Sequence, residues 1–209
     1  MGRSVAAFAM AMLLAATPAL GGGVLDQSQE QTSGGAAVHD TNTLGQTFKP
    51  SITQQLDHVD LLVSDGWGFD VTYPTDVAIV ETIGGVPSGG VLGEVLDVVS
   101  WTVGWNSVDF LGENLVLNAG TLYGIVVSND DPDFQTTPTW AWCVEWHNDP
   151  YAAGAFWSKK PFVGWQLLDP NDLTPDSDAA FRTYMVPEPL SVSLLGIGAC
   201  LGLLRRRRR

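Results

Sequence analysis

Apolar residues in this chain recur at two-residue spacing in short runs, which is the period of a strand with one face buried. In residues 56–63, Val59, Leu61 and Val63 fall on one face, and His58 and Asp60 fall on the other. Runs at 77–80, 91–96, 108–110, 115–117 and 122–127 read the same way, as do 140–146, 155–158, 165–168 and 180–184. They are rich in β-branched and aromatic residues and are divided by Gly, Pro, Asn and Asp, most densely in Gly84-Gly85-Val86-Pro87-Ser88-Gly89-Gly90. No stretch of ten residues between 22 and 185 carries helical spacing. The pattern predicts an all-β body, an antiparallel β-sandwich of jelly-roll type.

The two ends break this pattern. Arg3 is followed by an apolar run over 5–16 and by the small residues of Thr17-Pro18-Ala19-Leu20-Gly21. That order predicts a signal peptide over 1–21, with cleavage after Ala19 or Gly21. At the other end, Leu190 to Leu204 is fifteen residues without a charge, bounded by Pro189 and by Arg205, Arg206, Arg207, Arg208 and Arg209. A membrane-spanning helix needs about 20 apolar residues. This hydrophobic helix is short and diluted by Ser191, Ser193, Gly196, Gly198 and Gly202. It enters a membrane as a weak anchor, with the arginines holding its end on the cytoplasmic side. The chain thus divides into 1–21, a body at 22–185, and a tail at 186–209.

Charge and cysteine usage narrow the partners. The chain holds 23 acidic and 10 basic residues, and between 22 and 187 the basic ones are Lys49, Lys159, Lys160 and Arg182. Such a body repels a phosphate backbone, so no nucleic-acid partner is expected. Cys143 and Cys200 fall in different segments, so no intramolecular disulfide is expected, and Cys143 between Trp142 and Val144 reads as a buried thiol.

All eight tryptophans lie in the body. On a strand, Trp140, Trp142, Val144 and Trp146 share one face, and this row reads as a core layer. Trp67, Trp101, Trp105 and Trp157 stand beside Gly, Thr, Asn or Ser in expected loops or edges. They are the candidate platform on which sugar rings stack, Trp67 in Asp65-Gly66-Trp67-Gly68 foremost, with capping of the core as the alternative role. Two acidic loops supply candidate Ca²⁺ ligands: Asp130, Asp131 and Asp133, and Asp172, Asp176 and Asp178. Neither has the EF-hand arrangement, and solvated turns account for the same residues. No nucleophile elbow, zincin motif or phosphate-cradling loop is present, and His39, His58 and His147 lie far apart. No pair of carboxylates is singled out for glycosidic chemistry, so no catalytic residue is assigned.

Val186-Pro187-Glu188-Pro189, the apolar run and the terminal arginines together resemble the PEP-CTERM sorting signal of exported bacterial proteins. The same motif is also known as the ice-binding-protein C-terminal motif, a label with no bearing on ice. The resemblance implies recognition by an exosortase-type membrane protease and cleavage near Val186, Pro187, Glu188 and Pro189. It implies an inner-membrane tether before processing, then delivery to the cell surface or extracellular matrix. Residues 45–50, 56–62, 85–89, 117–126 and 178–184 resemble the β-sandwich modules that precede such tails. These modules are in turn similar to carbohydrate-binding jelly rolls, a likeness of fold alone. The expectation is an exported surface or matrix protein with a non-catalytic binding or structural body associated with exopolysaccharide. A glycan-active enzyme and a passive matrix component are the alternatives.

Overall fold

In a computed structural model, residues 22–38, 42–64, 74–98, 101–129, 140–146, 149–168 and 177–187 are described. The expected signal peptide, and the tail from Glu188 onward, lie outside the described residues. The first half of the chain forms β1 (Val24–Gln29), β2 (Gly34–Val38), β3 (Thr43–Phe48), β4 (Gln54–Ser64), β5 (Thr75–Glu81), β6 (Val91–Val98) and β7 (Gly104–Asp109). The second half forms β8 (Val116–Leu117), β9 (Tyr123–Ser128), β10 (Trp140–Glu145), β11 (Phe156–Lys160), β12 (Gly164–Leu167), β13 (Asp178–Ala179) and β14 (Phe181–Met185). The regular structure besides strands is a 3₁₀ turn at Leu111–Glu113, among the described residues.

All pairings are antiparallel and fall into two sheets. One runs β1-β14-β4-β10-β13, with β2 on β10 and with β7 and β8 on β4; the other runs β12-β11-β3-β9-β5-β6. The alternation read from the sequence sets which side each strand turns inward. Val59, Leu61 and Val63 on β4 are buried, and so are Tyr123, Ile125 and Val127 on β9. Leu56 joins the same core although its spacing from Val59 is odd. The cause is a bulge: Tyr184 faces His58 and Met185 faces Leu56, leaving Asp57 unpaired.

Buried residues from both sheets form one cluster. Trp142 on β10 meets Phe156 on β11 edge-on at 5.7 Å between ring centroids, and Phe48 on β3 meets Phe181 on β14 at 6.0 Å. Aromatic pairs at such separations contribute about 1 kcal/mol each beyond their burial. The expected core row is present: Trp140 and Trp142 are fully buried, and Trp146 packs partly buried against the same cluster.

Strands β1 and β2 gave no hydrophobic signal. β1 is the polar VLDQSQ, an edge strand. β2 is GGAAV, whose small residues leave room for its neighbours: a Cβ on Gly34 would lie 2.3 Å from Trp146 Nε1, and one on Gly35 3.1 Å from Ala141 Cβ.

Candidate functional site

The six-stranded sheet ends in the hairpin β11–β12, and register decides which of its side chains share a face. Trp157 faces Leu167, Lys159 faces Trp165, and Gly45 on β3 faces Trp157. Opposed residues point the same way, so these side chains turn outward while Phe156 and Ser158 between them turn in and are buried. A Cβ on Gly45 would stand 3.1 Å from Trp165 Cζ3 and 3.0 Å from Pro87 Cγ. One on Gly124, on the neighbouring β9, would stand 2.5 Å from Pro87 Cβ. The two glycines are therefore a floor on which Trp165 and Pro87 lie side by side. Trp157 and Trp165 are each partly buried, Lys159 is exposed, and Leu167 is 42% exposed. Trp157 Nε1 is buried without a hydrogen-bond partner. The result is a small aromatic shelf with a cation at its side. Indole faces of this kind stack on the C–H faces of sugar rings, and the lysine can donate to a hydroxyl or a uronate.

Trp165 was missed by sequence reasoning, which took it only as part of a strand. A signal existed: Trp157 and Trp165 flank Lys160-Pro161-Phe162-Val163-Gly164, and a hairpin turning there brings two odd-numbered positions onto one face.

The outer face of the eight-stranded sheet carries a polar row. Asp60 on β4 lies between Arg182 on β14 and Ser107 on β7, and Leu62 faces Trp105. Arg182 reaches diagonally over Trp105, its guanidinium 4.0 Å from the ring centroid, and its Nε donates to Glu30 at 2.8 Å. That hydrogen bond holds Glu30 below the usual carboxylate range. His58 stacks on Tyr184 at 4.2 Å, with Nδ1 2.8 Å from Asp57 Oδ2 and Nε2 3.8 Å from Asp60 Oδ1. The Ser107 hydroxyl donates to Asp60 Oδ1. Serine here gives its proton to a carboxylate rather than to an imidazole, so the row lacks the hydrogen bond that activates a nucleophile. Its groups bind one another.

The four expected platform tryptophans separate accordingly. Trp67 lies outside the described residues. Trp101 is corrected: it is a core residue, 3% exposed, 4.5 Å from the Trp140 ring, with Nε1 donating to Thr75 Oγ1 at 2.7 Å. The Thr75 hydroxyl satisfies the polar edge of the indole, so the ring can be buried in full. Trp105 spends one ring face on Arg182. Trp157 alone of the described three belongs to an outward aromatic pair.

Among the expected Ca²⁺ ligands, Asp130, Asp131, Asp133, Asp172 and Asp176 lie outside the described residues. Asp178 is corrected, because it is not on a solvated loop: it is 1% exposed, at the start of β13. Its Oδ1 accepts from Gln46 Nε2 at 2.8 Å and its Oδ2 from the Tyr151 backbone N–H at 3.0 Å. Gln46 Oε1 accepts from Ala179 N at 2.7 Å, and Gln29 Nε2 donates to the Asp178 carbonyl at 3.0 Å. Asp178 is thus a node: its carboxylate ties β3 and the Tyr151 backbone to β13, and its backbone carbonyl ties β1. Burial pushes its pKa up to about 6, against the hydrogen bonds that favour the charged form. Among the described residues no three His, Cys, Asp or Glu side chains are grouped to hold a metal ion. Cys143 is a buried free thiol whose pKa burial pushes up. No protein-family model matches this chain, and no curated protein matches it either.

Proposed function

We propose that the body is a jelly-roll β-sandwich acting as a non-catalytic glycan-binding module of an exported bacterial protein, sorted by a PEP-CTERM-like tail to the cell surface or matrix. The two antiparallel sheets sharing one core support the sandwich. The observation that carries the binding reading is the outward pair Trp157 and Trp165 beside Lys159 on one hairpin face. Exopolysaccharide is the substrate class that suits it: repeated sugar rings for the indoles, hydroxyls or uronates for the lysine. Gly23 N donates to Asp57 Oδ2 at 2.7 Å, just after the expected signal cleavage. Val186 N donates to Gln55 O at 2.8 Å, directly before Pro187, whose nitrogen has no hydrogen to donate. Removal of the tail beyond Val186 leaves every pairing of β14 intact.

The test is acrylamide quenching of tryptophan fluorescence with and without soluble exopolysaccharide. Binding at the shelf predicts that polysaccharide protects a fraction of the emission, and that Trp157→Ala with Trp165→Ala removes the protected fraction. Equal quenching with and without every polysaccharide tried overturns the reading and leaves a passive matrix component.

A further inference from the structure

The hairpin that carries the shelf ends in an apolar point. Lys160 pairs with Gly164, so Pro161, Phe162 and Val163 form the loop, and Val163 N donates to Lys160 O at 3.3 Å. Phe162 is fully exposed at 108%, the highest value of any large apolar side chain among the described residues, and Val163 is 60% exposed. Phe162 also stands at φ +66°, in a turn led by Pro161, where a glycine ordinarily sits. A bulky side chain at positive φ is strained, and such strain concentrates at working sites. Lys159 and Lys160 beside the loop are exposed and are two of the four basic residues between 22 and 187. Of the other two, Arg182 is engaged by Glu30. Two of the four basic residues of an otherwise acidic body thus stand next to the most exposed aromatic ring among the described residues.

We propose that this tip is a contact for an anionic lipid surface. Phe162 and Val163 enter the headgroup boundary, Lys159 and Lys160 lie against the lipid phosphates, and the indoles behind them lie near the interface, where tryptophan is favoured. The size of the patch selects this occupant. A fully covered phenylalanine supplies about 200 Å², whereas a stable protein partner needs about 800 Å² on each side. A bilayer requires no complementary surface and takes apolar side chains one at a time. The acidic remainder of the body is repelled by the same lipids, with a screening length of about 8 Å at physiological salt. Approach is therefore tip first. The proposal does not rest on the glycan reading.

The test uses the full chain carrying Cys200→Ser and Val163→Cys, labelled at position 163 with the environment-sensitive dye NBD, while Cys143 stays buried. Mixed phosphatidylglycerol and phosphatidylcholine vesicles are expected to raise and blue-shift the emission about threefold, and phosphatidylcholine alone much less. Adding Phe162→Gly, which also relieves the positive φ and so keeps the turn, returns the signal toward its vesicle-free value. Lys159→Glu with Lys160→Glu does the same. An emission unchanged by both vesicles overturns the proposal. So does a rise that needs no vesicles and follows protein concentration, which assigns the tip to a second copy of the chain, and so does a full response in the Phe162→Gly variant.

Discussion

Asp178 shows how far single residues were legible. In sequence it sits in a run of acids, Asp172, Asp176 and Asp178, and nothing local separates a solvated ligand from a buried node. The difference comes from Gln46, 132 residues away, whose amide reaches it across the body. Trp101 and Trp157 make the same point. Both stand beside a small polar residue, but one finds Thr75 for its indole N–H inside the core and the other lies on an outward strand face. The Asp178 node has a pH consequence. A carboxyl with its folded pKa raised from 3.8 to about 6 contributes stability that is fully present below pH 4 and is lost as pH rises through 6. At 1.36 kcal/mol per unit, the loss approaches about 3 kcal/mol. Urea unfolding of the wild type and of Asp178→Asn at pH 4 and pH 7 checks this. The stability advantage of the wild type over the variant should shrink by about that amount between the two; a constant difference would contradict it.

At the scale of elements, the strands with alternating apolar residues were legible and the small or polar ones were not. β4 and β9 could be read because half of each faces the core. β1 and β2 could not, because β1 is a polar edge and β2 is kept small by Trp146 and Ala141. The hairpin face was half legible: Trp157 was singled out, but its partner Trp165 needed the register. Segment 149–154 was silent in sequence, although it leads into a firm dock on β3, with Thr47 N donating to Ala155 O at 2.9 Å and Ala155 N to Thr47 Oγ1 at 2.8 Å. Gly154 permits that approach, since a Cβ there would fall 1.9 Å from the Thr47 carbonyl oxygen. Backbone cannot yield as a side-chain tip can, so Gly154→Ala should cost about 3 kcal/mol. A thermal melt reads this as a drop of several degrees, and an unchanged melt would show that the contact is dispensable.

For the whole molecule, the all-β class followed from period and punctuation, because burial between two sheets leaves its mark on every interior strand. The proposed sorting role of the tail rests on composition and order along the chain: a proline pair, an apolar run and five arginines. Ligand choice is the least legible level, since a sugar-binding face requires only two indoles and a cation brought together from separate strands. The most direct measurement is therefore retention of the protein on the source cells' own insoluble polysaccharide, with and without EDTA. Binding at the shelf predicts retention that EDTA leaves unchanged and that falls at least tenfold, about 1.4 kcal/mol, in Trp157→Ala with Trp165→Ala. Retention equal in wild type and double variant, or abolished by EDTA, would contradict it.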